Sequence, residues 1–358
     1  MYFKITNEKE NHNGFQYVDG LNVLKQEFNN DPSESCCPGG LYFTDAANIF
    51  HFLDFGIYLR EVTLPIDNPD FLIVADKNKW RANMIILGKR HDLFSAETFK
   101  NLIKCGSNIH ANHDFALRWC ARNGYTDIVK ILIESGANIH AESDSALCSS
   151  AANGHLDTVK CLVENGTDVH SQNDCAIRVS AEHGHTHIVK YLAENGANIH
   201  AEYDQVVRQS ASRGYINIVK YVVENSIKPD IDYLLSLSVD NNHLDIVHYL
   251  VKSGADISAD NSYAFRSSAQ NGFLDLVKYF VEIGVNIHAE NDYALRWSAR
   301  NGFLSIVKFL VESGAAVSCG PGRTLGYAAN IHAENDYAFH WSAKNDHLDV
   351  LEFLKSQC

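Results

Sequence analysis

A repeat of 30 residues runs through most of this chain and restricts what it can fold into. From about residue 105 onward, a Gly-Ala-Asn-Ile-His-Ala-Glu segment recurs, followed by an aromatic-Ala-Leu-Arg segment and an Asn-Gly turn. The turn residue recurs at Gly124, Gly154, Gly184, Gly214, Asn242, Gly272, Gly302 and Asp346. Such a regular register indicates a repeat architecture in which every unit adopts the same local fold.

Each repeat carries two amphipathic helical patterns. In the second, Ile128, Val129, Leu132 and Ile133 form one apolar stripe of period 3.6. The first is shorter and opens after an Asp such as Asp114, whose carboxylate we expect to accept the free amide hydrogens of the first turn. Because one helix pair cannot bury its own apolar stripe, the pattern predicts an α-solenoid stabilised by stacking of helix-turn-helix repeats.

These motifs resemble the ankyrin repeat over about three quarters of the chain. Two features depart from that family. Its Thr-Pro-Leu-His start is replaced by segments such as Tyr293-Ala294-Leu295-Arg296, and its usual period of 33 residues is shortened to 30. The missing residues fall between Ala141 and Asp144, where the family makes its β-hairpin finger, so we expect stubby fingers.

The 30-residue variant with Asn-Ile-His is most similar to ankyrin proteins of giant, mimivirus-type DNA viruses. The resemblance implies that residues 93–358 form a half-repeat cap and about eight ankyrin-like repeats. It also implies a protein that is not an enzyme, needs no cofactor and holds a partner protein, which for a viral protein would be a host protein.

Variable positions on the first helices indicate where a partner would bind. In ankyrin stacks the first helix and the turn after it line the concave face, and Trp and Arg are enriched at binding hot spots. We therefore expect contacts from Trp119, Arg122, Gln209, Trp297, Arg300, Trp341 and Lys344. The alternative role for the three Trp residues is packing between adjacent first helices.

One histidine per repeat raises the question of metal binding. Adjacent repeats lie on the order of 10 Å apart, whereas a metal–nitrogen bond is about 2 Å long, so these histidines cannot share an ion. We expect a hydrogen-bonding ladder that fixes each loop to the next, formed by His110, His140, His170, His200, His288 and His332. The denser cluster around His183, His185 and His187 lacks a carboxylate or thiol at a recognised spacing, so no metal site is expected.

An arginine ladder follows the same repeat at Arg118, Arg178, Arg208, Arg266 and Arg296. In four of these repeats an Asp precedes the Arg by four residues, as Asp114 precedes Arg118. That order is favourable on a helix and contributes about 0.2–0.5 kcal/mol per pair. The pattern predicts a structural clamp in which the carboxylate occupies the guanidinium, with an anion-binding groove as the alternative.

Residues 1–92 lie outside the repeat and are expected to form a small α+β domain. Short apolar runs between turn signals predict strands at 41–43, 58–65 and 84–88, with a helix near 45–54. Residues 40–45 and 58–62 resemble a loop and strand of ADP-ribosyltransferases, so related ligand binding or chemistry, targeted by the repeats, is the alternative function. The catalytic Glu of that family would fall near Asp70, and His12-Asn13-Gly14 does not match its His-Gly pair. An inert or peptide-binding domain is therefore expected.

Composition restricts the remaining classes of partner. With 30 Lys and Arg against 44 Asp and Glu, the net charge of −14 argues against nucleic acid as the main partner. No apolar run reaches the 18 residues of a membrane span, and the first residues do not form a signal peptide. The nine cysteines are irregularly spaced, which is typical of reduced thiols. We expect a monomer in the host cytoplasm or nucleus, with a self-assembling structural protein as a further possibility.

The repeat register breaks twice. Between Gly214 and Asn242 the spacing falls to 28, and residues 226–229 replace the usual loop. Between Gly302 and Asp346 it rises to 44, which places fourteen inserted residues near 316–329. The segment Gly320-Pro321-Gly322 predicts a projecting loop there.

Overall fold

A computed structural model describes residues 1–31, 38–226, 229–313 and 330–357 of the chain. The inserted segment near 316–329 and residues 227–228 of the shortened junction lie outside the described residues. The chain divides into two compact units, Met1–Asn198 and Ile199–Cys358, which are treated separately below.

The first unit opens with a strand-rich region. Its strands are β1 (Tyr2–Thr6), β2 (Asn11–His12), β3 (Phe15–Gln16), β4 (Gly20–Val23), β5 (Leu41–Asp45), β6 (Tyr58–Thr63), β7 (Ile73–Asp76), β8 (Lys79–Ala82) and β9 (Met84–Asp92). Seven of them form one antiparallel sheet in the order β4-β9-β6-β1-β5-β8-β7, and β2 and β3 form a small hairpin. The three strands predicted from sequence are confirmed as β5, β6 and the first part of β9.

Apolar residues from β5, β8 and β9 hold this region together. Leu41, Phe43 and Ile85 are buried in one cluster with Tyr17 and Leu87. At about 25 cal/mol per Å² of apolar surface, burying each large side chain stabilises the fold by roughly 1.5–3 kcal/mol. The helix predicted near 45–54 is present as a 3₁₀ helix over Ile49–Phe55.

The 3₁₀ helix and α1 together cap the helices of the first unit. These helices are α1 (Ala96–Lys104), α2 (Ala111–Arg122), α3 (Thr126–Glu134), α4 (Ala141–Ala152), α5 (Leu156–Glu164), α6 (Ser171–Glu182) and α7 (Thr186–Glu194). The 3₁₀ helix packs against α2 and α1 packs against α3, so they take the places of a first and a second repeat helix. Phe50 stacks on Phe99 between them, with ring centroids 5.3 Å apart.

Among the described residues of the second unit, the same pattern recurs in five helix pairs. Its helices are α8 (Ala201–Arg213), α9 (Ile216–Asn225), α10 (Ile231–Asp240), α11 (Leu244–Lys252), α12 (Ala259–Gln270), α13 (Leu274–Glu282), α14 (Ala289–Arg300), α15 (Leu304–Ser313), α16 (Ala333–Lys344) and α17 (Leu348–Ser356). First helices pack on first helices, and second helices on second helices. The predicted α-solenoid of helix-turn-helix repeats is confirmed. Across the described ranges, no helix has the length and apolar character needed to cross a bilayer.

A disulfide links two neighbouring repeats of the first unit. Cys148 of α4 and Cys175 of α6 are bonded, with their Cα atoms 5.8 Å apart. The expectation of reduced thiols is therefore wrong for this pair. Cys105, Cys120 and Cys161 are free thiols.

Candidate partner-binding site

A three-residue left-handed turn stands where the ankyrin finger would be. In α4, Glu142, Ser143 and Asp144 have φ angles of 52°, 55° and 58°, and six other first helices carry the same turn. This conformation costs roughly 1–2 kcal/mol per non-glycine residue, so other contacts must hold it in place. The expected stubby finger is this turn.

In four of these first helices, the Asp that ends the turn connects one repeat to the next. The buried Oδ1 of Asp144 accepts a hydrogen bond from Nδ1 of His140 (2.9 Å) and another from the amide of Asp168 in the following repeat (3.2 Å). The capping role predicted for this Asp is wrong, because its carboxylate does not accept from the first turn of its own helix. The predicted histidine ladder is confirmed in an indirect form, since the imidazole orients the carboxylate and the carboxylate makes the link.

The repeated arginines stabilise the carbonyl groups of the left-handed turn. In α2, Nε of Arg118 donates to the carbonyl of His113 (3.0 Å) and Nη2 donates to that of Asn112 (2.9 Å). The same two bonds recur at Arg178, Arg266 and Arg296. The clamp is structural, as expected, but its acceptors are carbonyl oxygens rather than the predicted carboxylate. These bonds leave the alternative of an anion-binding groove without support.

A second histidine ladder was missed from the sequence. Nε2 of His155 lies 3.0 Å from the carbonyl of Arg122, and Nε2 of His185 lies 3.1 Å from that of Ala152. Each ring also covers the turn glycine of the preceding repeat, so that a Cβ on Gly154 would lie 2.7 Å from the His185 ring. The sequence signal was the His that follows the turn residue in four of the repeats, at His155, His185, His243 and His347.

These contacts also explain the dense cluster around His183. Nδ1 of His183 bonds to the carbonyl of Val179 (2.9 Å), and His185 is held by Ala152. Within the part of the chain that the structure describes, no group of three or more His, Cys, Asp or Glu is placed to hold a metal ion.

In the first unit, Trp119 packs within an aromatic cluster. Its ring lies nearly parallel to those of Phe94 (4.5 Å, 15°) and Tyr125 (5.8 Å, 13°) and is half-buried. Arg122 is exposed on the last turn of the same helix. This packing differs from the expected packing between adjacent first helices, since Phe94 and Tyr125 lie outside those helices. In the second unit, Gln209 is half-buried on α8.

The other four predicted contact residues meet on α14 and α16. Cζ of Arg300 lies 4.4 Å from the ring centroid of Trp297 and 4.3 Å from that of Trp341. Its Nη1 donates to the hydroxyl of Tyr337 at 2.7 Å. One guanidinium thus contacts two indole rings from neighbouring repeats, with only part of its surface exposed.

Two tyrosines and a lysine complete this group. The Tyr293 ring stacks on Trp297 (5.4 Å, 23°), and the Tyr337 ring lies 5.8 Å from Trp341. Nζ of Lys344 lies 4.2 Å from the Trp341 ring centroid. Neither tyrosine was predicted from the sequence as a contact residue, although the recurrent Asp-Tyr-Ala start of the first helix carried the signal. We name the six residues Tyr293, Trp297, Arg300, Tyr337, Trp341 and Lys344 the aromatic–basic cluster.

The strand-rich region provides one further concave site. A cavity of about 250 Å³ is lined by His12 and Asn13 together with side chains of β1 and β5. Asp70 does not line it and lies exposed on the loop before β7, where its amide bonds to Asn68. The residue that would replace the catalytic Glu of an ADP-ribosyltransferase is therefore not placed at this cavity.

Comparisons with known proteins agree with the repeat geometry. The family model for ankyrin repeats, three copies long, matches residues 89–173, 120–203, 177–261, 235–320 and 262–358. An uncharacterized protein of Acanthamoeba polyphaga mimivirus is 56% identical over 130 residues, which is 36% of this chain and 94% of that relative.

Two putative ankyrin repeat proteins of the same virus are also similar. One is 50% identical over 133 residues, covering 37% of this chain and 65% of the relative. The other is 46% identical over 130 residues, covering 36% and 39%. The matched region thus spans less than two thirds of these two relatives.

Proposed function

Because the chain belongs to the ankyrin repeat family, we propose that it is a non-enzymatic adaptor that binds an acidic segment of a partner protein through its aromatic–basic cluster. The similarity to mimivirus ankyrin proteins, expected from the sequence, is confirmed. It supports a protein of the virus's host as the partner, bound in the host cytoplasm or nucleus by a monomer of this chain.

The position of the Arg300 guanidinium between Trp297 and Trp341 is the main support for this proposal. A guanidinium stacked on aromatic rings is held in one orientation, so little conformational freedom remains to be lost on binding. Of its five N–H donors, one has an acceptor among the described residues, the hydroxyl of Tyr337. The remaining donors match a carboxylate, which accepts two parallel hydrogen bonds from arginine.

The surroundings of Arg300 favour a peptide with apolar as well as acidic residues. Trp297 and Trp341 are half-buried and offer ring surface beside the cation. Lys344, exposed at the end of α16, adds a second positive charge to the cluster. An acidic side chain flanked by an apolar one would contact both kinds of surface.

Affinity capture from host-cell lysate with quantitative mass spectrometry tests the proposal on the full chain. Arg300→Ala and Trp341→Ala should each weaken capture of the same protein at least tenfold, since a hot-spot truncation costs about 2 kcal/mol or more. Arg300→Lys should weaken it as well, because an ammonium cannot bind a carboxylate through two parallel bonds.

Two matched variants control for indirect effects. Lys278→Ala removes an exposed charge from the second helix α13, and Trp119→Ala removes the packed Trp of the first unit. Both should keep the partner if circular dichroism shows that they fold. Full retention of the partner by a folded Arg300→Ala variant would contradict the proposal. A change of mass with concentration in light scattering would favour self-assembly instead.

A further inference from the structure

The cavity of the strand-rich region lies where two strands of the sheet separate. β1 and β5 are paired only through Tyr2 with Asp45 and Phe3 with Thr44. Beyond this point, β1 residues 4–6 and the adjoining Asn7 line one part of the cavity, and β5 residues 42–44 line another. Its volume of about 250 Å³ equals that of roughly eight liquid waters. The opening therefore has room for a small ligand.

A buried lysine contributes to the cavity wall. Lys4 is only 4% exposed, yet no carboxylate among the described residues lies within 4 Å of its Nζ. Nζ donates to the carbonyl of Tyr42 (2.8 Å) and lies 4.2 Å from the ring centroid of Tyr17. A buried ammonium without an anionic partner is costly, and burial lowers the pKa of Lys4 to about 7. A bound anion would provide the missing charge.

Two further basic groups lie near the same tyrosine. Nζ of Lys79 is 5.1 Å from the Tyr42 ring centroid, and the His12 ring is 6.1 Å from it. Lys79 also pairs with Asp76 at 3.6 Å. Burial lowers the pKa of His12, and the charges of Lys4 and Lys79 lower it further. Among the described residues around Tyr42, two lysines and one aspartate give a local excess of positive charge.

The apolar part of the lining is rich in aromatic rings and is formed by Phe3, Ile5, Phe43, Ile49, Phe52 and Phe55. The polar side chains of Thr6, Asn7, Asn11, Asn13 and Thr44 also line the cavity. A pocket with mostly apolar walls and a few polar groups that converge is typical of small-molecule sites. Pockets for drug-sized ligands measure about 300–1,000 Å³, so the occupant here is smaller.

We propose that this cavity binds a small organic anion with an aromatic body, whose charged group meets Lys4 and whose ring lies against the phenylalanine side chains. The ligand class follows from the combination of a buried cation, a local positive charge and aromatic walls. This activity is separate from partner binding on α14 and α16, and its failure would leave that proposal untouched.

Saturation-transfer NMR on the full chain tests this site with three probes. Phenylacetate and phenyl phosphate carry an anion on an aromatic ring, and phenylacetamide is the neutral counterpart of the first. At pH 6 at least one anion should bind ten or more times more tightly than the amide. The stronger of the two anions identifies the headgroup as carboxylate or phosphate.

Substitution of Lys4 and a change of pH test whether this lysine binds the anion. Lys4→Met keeps most of the length of the side chain and removes its charge, so the anion should bind at least tenfold more weakly. Lys9 is an exposed lysine of the same region, and the Lys9→Met variant should bind the anion normally. Affinity in the unmodified chain should fall between pH 6 and pH 9, as Lys4 loses its proton.

Three results would overturn the site: no transfer to any probe, equal affinity for phenylacetate and phenylacetamide, or an affinity unchanged from pH 6 to pH 9. If Lys4→Met does not fold, Lys79→Met replaces it, with a weaker loss expected because Lys79 already pairs with Asp76.

Discussion

Nδ1 of His140 lies 2.9 Å from Oδ1 of Asp144, and the same oxygen accepts the amide hydrogen of Asp168 in the following repeat. One buried carboxylate oxygen therefore serves a side chain of its own repeat and the backbone of the next. The same pair of bonds is made by Asp114 with His110 and Asn138. The interface between repeats thus depends on a hydrogen-bonded carboxylate as well as on apolar packing.

Replacing this carboxylate should destabilise the stack. Asp144→Ala leaves the Asp168 amide and the His140 ring without their acceptor, which should cost about 1–3 kcal/mol in the free energy of unfolding. Urea unfolding followed by circular dichroism measures the change. Glu164→Ala, an exposed acid on α5, should change stability by less than about 0.5 kcal/mol. Equal effects of the two substitutions would contradict the role assigned to Asp144.

Arg118 should stabilise the left-handed turn without being essential to it, because α4 forms the same turn with Cys148 at this position. Arg118→Ala loses two hydrogen bonds to carbonyl groups, and we expect a loss of about 1 kcal/mol. Urea unfolding at 0.05 and 0.5 M NaCl measures it. Arg122→Ala on the same helix is the control. A loss that vanishes at high salt would instead indicate an ion pair with Asp114.

Alanine substitution at two glycines with similar backbone angles distinguishes the cost of backbone strain from the cost of steric crowding. Gly154 and Gly166 have φ angles of 80° and 95°, so alanine is strained at both, by roughly 1–2 kcal/mol. Only at Gly154 would the new Cβ also press on a ring, that of His185 at 2.7 Å. Gly154→Ala should therefore cost about 1–3 kcal/mol more than Gly166→Ala in urea unfolding. In the double variant with His185→Ala, part of that excess should disappear, and an unchanged excess would rule out crowding by the ring.

Stability should rise with pH because of Lys4. Its pKa is about 7 in the folded chain and 10.5 when exposed, so between these values the unfolded chain binds a proton that the folded chain lacks. The free energy of unfolding then increases with pH, by at most about 1.4 kcal/mol per unit. Below pH 7 both states are protonated and this contribution is constant.

Comparison of variants isolates this effect. Urea unfolding at pH 6, 7, 8 and 9 should show the free energy of unfolding of the unmodified chain rising with pH. Lys4→Arg should be less stable than the unmodified chain, since arginine stays charged when buried. Lys4→Met should lack the rise. A parallel pH profile for Lys4→Met and the unmodified chain would show that Lys4 keeps an ordinary pKa.

The sequence predicted the helical repeats because their period is local and recurs many times. The apolar stripe of Ile128, Val129 and Leu132 is buried as expected. The left-handed turn could not be predicted, because Glu142 and Ser143 have no preference for positive φ. The turn is held in place by a contact with a residue 24 positions along the chain, the hydrogen bond from the Asp168 amide to Asp144.

The candidate contact residues were predicted only in part for a similar reason. Variation along the first helices identified Trp119 and Trp297 equally, since both follow an Arg. Their neighbours separate them, because Trp119 meets Phe94 from outside the repeat whereas Trp297 meets Arg300 of its own helix. Lys4 was missed because a single lysine in a strand gives no sign of its burial.

The bonds that join consecutive repeats use backbone groups and residues that recur in many of the units, as when Asp114 accepts from Asn138 and His155 meets the carbonyl of Arg122. An extra copy of the 30-residue unit would therefore bring a complete interface on both sides. A gene of this kind can gain or lose whole repeats by recombination between its own similar segments, and the number of repeats is then free to vary while the contacts within the stack stay the same.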